Sequence, residues 1–414
     1  MIESQIRNLF NQRNRYVPNL RFSGFTEEWQ IESADSLFEV IPNNTISRDG
    51  LSYESGTWKN IHYGDILTLF PTLLDVNDAR VPYISSASFN SKTALSSGDV
   101  VIADTAEDYT AGKALEVTGA EDIKTVPGLH TIACHPTRTF ASGFLGYYLN
   151  SYAYRERIKP FIQGIKVYSI SKGNFLRSAL SFPSIPEQAK IGCFLSLLDQ
   201  RIEVQNKIIE EREASIKAIF LSLDVGAKQK ICLRDVGEYK ACDNLSWDEI
   251  GVTGRPAIIY GELFTAYRYL INTVRSRTMR NLKSVSTGND LLFPSSTTVD
   301  AISLIAPAAL MQQGVVLGGD MFSIAVKDDI DPIYLSFLIN CRYKKALSKY
   351  AQGSTIIHIH YDDIKRFPME LVSTQKQRKI SAVMSSYLSL IEKEKTKLAL
   401  FRREKEFFLR NMFI

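Results

Sequence analysis

The chain has 414 residues, 45% of them hydrophobic, with a net charge of only +4. That is apolar material for two or three cores, and too little charge for a whole-molecule electrostatic argument, so any basic surface must be local. Five scattered cysteines without a C-x-x-C pair read as reduced thiols of a cytoplasmic protein, and neither a signal peptide nor an apolar run near ~20 residues is present.

Ile2, Ile6, Leu9 and Phe10 have helical spacing among Arg7, Arg13 and Arg15, and Pro18 stops the run. From residue 20 to 183 short β-like segments alternate with turns. Residues 61–69, 80–85, 99–103 and 129–134 are expected as strands, and 144–159 as one helix. Polar stretches at 43–59, 85–97 and 105–113 are long loops, a usual place for function. His130, Cys134 and His135 lie near one another in sequence but are expected to be structural. Next comes a glycine turn, Gln163-Gly164-Ile165-Lys166.

A long helix follows. Ile191, Leu195, Leu198, Ile202, Ile209, Ile216 and Ile219 keep a 4-3-4-3 spacing interrupted by Gln205 and Arg212, which is a heptad seam. Ser184 with Glu187 three residues on has capping-box spacing, and Pro186 suits a first turn.

The second half repeats this plan. Shifted by 189 residues without a gap, 163–220 superposes on 352–409, matching Gln163 with Gln352, Gly164 with Gly353, Gln188 with Gln377 and Ile191 with Ile380. Tyr260-Gly261-Glu262-Leu263 echoes Tyr63-Gly64-Asp65-Ile66, and 332–350 echoes 144–159. The second seam is Ile380, Met384, Tyr387, Ile391, Leu398, Phe401 and Phe408, broken by Glu394 and Lys405, and Thr374 with Gln377 repeats the capping-box spacing. Two copies of this length mean two similar domains rather than a solenoid. Each helix, a rod of ~50 Å, finds its nearest partner in the other. An antiparallel pair is expected, with Arg212 and Lys405 each paired because a buried charge is otherwise expensive. Between the landmarks the halves share almost nothing, as expected of matched scaffolds reading different targets.

No phosphate-binding loop, dinucleotide turn, zinc-protease motif, nucleophile elbow or adenine-methyltransferase tetrapeptide is found. His358 and His360 alternate on an expected strand without a third ligand, so no metal site is assigned. Basic residues concentrate at 255–283, where Arg255, Arg268, Arg275, Arg277, Arg280 and Lys283 face a single acid, Glu262, with Tyr260, Tyr267 and Tyr269 interleaved. Arginine, lysine and hydroxyl side chains hold phosphates and base edges. The candidate DNA contacts are therefore Arg268, Arg275, Arg277, Arg280 and Lys283, and Ser354 and Thr355 in the second glycine turn. Those of the first half are Arg48, Lys59, Lys113, Arg138 and Lys166, spread over its loops.

Taken together, Pro18-Asn19-Leu20-Arg21-Phe22-Ser23-Gly24-Phe25-Thr26-Glu27-Glu28-Trp29, Tyr63-Gly64-Asp65-Ile66, and Phe182-Pro183-Ser184-Ile185-Pro186-Glu187-Gln188 with Ile191 resemble the specificity subunit of type I restriction–modification systems. The second copy departs from the motif at Val372 and Lys376. The resemblance implies a non-catalytic α/β (α+β) protein with two target recognition domains, each reading half of a split sequence in double-stranded DNA. It also implies conserved helices that set the spacer and bind two modification subunits. S-adenosylmethionine, ATP and magnesium would sit on those and on the restriction subunits, with no cofactor on this chain. The expected organisation is a 1–19 segment, recognition domains at 20–183 and 223–371, and coiled-coil helices at 184–222 and 372–414. Two alternatives stay open: an assembly scaffold that never touches DNA, and a fused methyltransferase, against which the missing motifs speak.

Overall fold

The computed structural model describes residues 17–414, so the N-terminal helical segment expected before Pro18 lies outside the described residues. The chain folds as two units. One runs to Asn206 and takes Thr396–Ile414, and the other is Lys207–Lys395. The division therefore cuts both long helices, Ile185–Leu223 and Thr374–Asn411, near their middles rather than following element ends.

In the first unit a five-stranded sheet has the order Phe38–Ile41, Thr131–Pro136, Val100–Ala103, Ala114–Thr118, Leu73–Asp75. Its neighbours are antiparallel except the last pair, which is parallel. Period-2 alternation gives it two dry faces. Val100 and Ile102 point to a cluster with Phe144, Tyr148 and Leu195. Val101 and Ala103 point to Ile61, Ile66 and Leu74. Beside it lies a four-stranded sheet, Thr125–Pro127, Lys59–Ile61, Tyr83–Ile84, Leu51–Ser52, with a parallel pair at Thr125–Pro127 and Lys59–Ile61.

The second unit repeats the large sheet strand for strand: Gly237–Ala241, Met321–Val326, Asp290–Pro294, Ala308–Leu310, Leu270–Ile271, again with only the last pair parallel. Its small sheet is Arg277–Thr278, Arg255–Ile259, Gln313–Gly318, Val285–Thr287. Here only the central parallel pair corresponds to that of the first unit. The outer strands attach differently, and this is where the two halves of the sequence diverge.

Three sequence expectations are corrected. Residues 61–69 do not form one strand: the strand ends at Ile61 and Tyr63–Thr68 is a helix. The His62 ring accepts the Gly64 N–H at 3.2 Å and starts the turn, while Ile66 and Phe70 bury at helical spacing. The helix expected over 144–159 is two, Phe144–Leu149 and Tyr152–Ile158. Ser151 caps the second through the Tyr154 N–H, and the Asn150 amide ties off the Ala114 and Gly146 carbonyls. Neither capping box forms. The Glu187 carboxylate is taken by Arg21 in two bonds of 2.7 Å. Gln377 accepts the Asp331 N–H and donates to the Val372 carbonyl, as Gln188 does toward Ala141 and Pro183. The repeated glutamine thus clamps the helix start to the segment before it, which explains its recurrence.

Within each unit the two long helices run antiparallel. Asp199 meets Lys405 at 2.5 Å in the first, and Glu213 meets Lys395 at 2.8 Å in the second. The seam buries Ile191, Leu195, Leu198, Ile209 and Ile216 on one helix and Ile380, Met384, Ile391 and Phe401 on the other, with Ile202, Tyr387 and Leu398 half-buried. Each fully buried side chain contributes about 1.5–3 kcal/mol. The seam cations are paired as expected, Arg212 with Glu394 at 3.8 Å and Lys405 with Asp199.

Candidate nucleic-acid interface

A basic surface is built from the small sheet of the second unit. Ala257, Ile258 and Ile259 anchor the central strand in the core. Its N-terminal end pairs with Arg277–Thr278, where alternation buries Thr278 and turns Arg277 outward. Two buried groups fix the approach to that edge. Glu262 accepts the Ser276 hydroxyl at 2.6 Å and the Ile259 N–H at 3.1 Å, and the Tyr267 hydroxyl accepts the Arg275 N–H at 2.9 Å. The only acid of the segment is thus spent on a serine hydroxyl and a main-chain N–H, and it pairs with none of the segment's cations.

All six cations at 255–283 are exposed. Arg268 pairs with Glu213 at 2.9 Å and Arg280 with Glu249. Arg277 donates to the Gly254 carbonyl at 2.9 Å and Arg255 to Asn281 at 3.3 Å, so both keep a net charge at the surface. Arg275 and Lys283 meet no acid among the described residues. Next to this edge Trp247, Tyr260, Arg268, Thr297, Asn340 and Lys344 line a groove of about 680 Å³. Trp247 is exposed and lies where only a glycine fits at 261, since a Cβ there would stand 2.7 Å from its ring. Burial lowers the Lys344 pKa from the ordinary lysine value. Neither Trp247 nor Lys344 carries a sequence signal; they come from outside the basic run and only folding brings them to it.

The first-half candidates scatter. Lys59 is buried, its ammonium donating to the carbonyls of Val76 at 2.7 Å and Asp78 at 3.0 Å, and burial lowers its pKa. Lys113 is half-buried on the Leu67 carbonyl at 2.8 Å. Both are corrected to structural lysines, because their charge is consumed by the chain's own acceptors. Arg48 makes a two-bond pair with Asp65 that raises its pKa, and Arg138 pairs with Glu32 at 2.7 Å over the Phe182 ring. Lys166 is exposed, as are Ser354 and Thr355, on two hairpin tips.

The histidines do not converge on a site. His135 is bonded to Asp99 at 2.6 Å, Cys134 is turned into the core, and His130 lies 3.4 Å from Asp104. The His358 and His360 rings stack at 6.3 Å on one face, as alternation implies, although His360 already caps the helix Tyr361–Ile364. No group able to hold a metal ion is found among the described residues. No described helix is long and apolar enough to cross a membrane.

Residues 228–400 match the family model described as type I restriction modification DNA specificity domain. The match lies wholly in the second half of the chain. The fold of the whole chain is similar to that of the type I restriction-modification S subunit from M. genitalium, at 14% identity and a TM-score of 0.57, over 96% of this chain and 99% of that one. It is also similar to a chain from a structure of complex assembly and conformational transition of the type I R-M system, at 15% identity and a TM-score of 0.56, over 92% and 96%. A comparison with curated proteins finds no match. The resemblance drawn from the N-terminal and helix-start motifs is thus supported by a match in the other half of the chain.

Proposed function

We propose that the chain is the sequence-reading subunit of a type I restriction–modification complex, each unit reading one half of a bipartite site in duplex DNA. In this reading the paired helices set the spacer between the half-sites and dock two modification subunits. Those subunits bring S-adenosylmethionine, and restriction subunits use ATP and magnesium, all in the cytoplasm. The observation that carries the proposal is the pairing of two five-stranded scaffolds of the same strand order with two different small sheets, one edged by exposed arginines. A common scaffold holding unlike edges is what two readers of unlike half-sites require.

Binding of the full chain to mixed-sequence duplex tests this. Affinity is expected to fall steeply with salt, with a log–log slope of about 0.9 per phosphate contacted. Arg275→Ala and Arg277→Ala are each expected to reduce that slope by about 1. Salt-insensitive binding, or none, returns the chain to the scaffold reading.

A further inference from the structure

We propose that the hairpin tips at residues 164–167 and 353–356 are base-reading fingers, one per unit, whose unlike side chains help the two units read different bases. This rests on the DNA-reading function proposed above.

The two tips are the same piece of backbone. Gln163 and Ser169 exchange two main-chain hydrogen bonds of 2.9 and 2.7 Å, and Gln352 and His358 exchange two of 2.8 and 2.7 Å. Gly164 and Gly353 take φ of +138° and +113°, and a Cβ on either would stand 1.8 or 2.1 Å from the carbonyl oxygen of Val167 or Ile356. Glycine is therefore compulsory at both. The returning strand of each tip is held in a short antiparallel pair, Tyr168–Ser169 with Thr105–Ala106, and Ile357–His358 with Ser296–Thr297. The next residue, Ile170 or Ile359, is buried and anchors the base of the tip. A stiff, doubly anchored base leaves little ordering to be done on binding.

What the tips display differs. The first projects Ile165, 92% exposed, and Lys166. At the same places the second projects Ser354 and Thr355, and in each tip a half-exposed aliphatic residue follows, Val167 or Ile356. A lysine ammonium donates to guanine O6 and N7, an aliphatic side chain packs on the thymine methyl, and hydroxyls donate to or accept from either base of a pair. The first tip also stands beside the Tyr109 and Tyr168 rings, 4.5 Å apart, with Lys159 over Tyr109.

The test exchanges the displays in the full chain, in complex with its modification subunits: Ile165→Ser with Lys166→Thr in one variant, Ser354→Ile with Thr355→Lys in the other. Duplexes retained from a randomised pool are sequenced. Each exchange is expected to change base preference at least tenfold at one or two adjacent positions of one half-site, leaving the other half-site as it was. Lys166→Ala and Thr355→Ala, which remove one contact each, are expected to relax the same positions. Motifs identical to that of the unaltered chain in all four variants would overturn the inference while leaving the reader intact. If the unaltered chain enriches no motif, both fall.

Discussion

Glu116 sits where a carboxylate is costly. It is buried, and burial pushes its pKa up to about 7, against the pull of the N–H groups of Gly146, Gly143 and Leu145 at the start of the helix Phe144–Leu149. A carboxyl whose folded value is raised favours the folded state while protonated. That contribution is complete below the ordinary glutamate range and is lost as pH rises through about 7. Unfolding free energy is therefore expected to fall by on the order of 3 kcal/mol from this group between pH 5 and 8. Glu116→Gln should flatten that part of the profile in thermal melts, and an unchanged difference between the two proteins would reject the assignment. The same scale shows the limit of counting charges. Arg275 and Lys59 look alike on paper, yet one is exposed and the other donates to two carbonyls inside the fold. Sequence supplies a cation; only the surrounding acceptors decide whether a ligand can use it.

Among elements, the long helices were the most legible, because a seam repeated over several turns leaves no other period that buries it. Their weak point is also plain. Phe220, fully buried near the end of Ile185–Leu223, stacks with Phe337 at 5.9 Å and abuts Tyr334. Phe220→Ala is expected to cost about 3–5 kcal/mol in denaturant unfolding. A loss below about 1 kcal/mol would mean that this end of the helix is not held by the core of its unit. The short elements were less legible. An apolar run such as 61–69 fits a buried strand or a buried helix equally well, and the choice fell to the His62 cap. The break at Asn150 and Ser151 likewise depends on carbonyls and N–H groups that only the folded neighbours present.

For the molecule as a whole, the duplication predicts modular reading. Under the proposed function, exchanging residues 223–370 for the corresponding segment of a type I specificity subunit is expected to change one half of the methylated sequence and leave the other intact, as read by methylation mapping; a change in both halves would refute modularity. By itself the sequence determined the internal repeat, the two scaffolds, the paired seams and the basic run at 255–283, because repeat register and hydrophobic period are local patterns that one chain writes out directly. The tertiary structure decided which cations are free, that Glu262 and Tyr267 aim the arginine edge, that Trp247 and Lys344 join it, and that the glycine turns are matched hairpin tips. Those facts depend on hydrogen-bond partners and packing neighbours far apart in the chain, and no spacing rule encodes them.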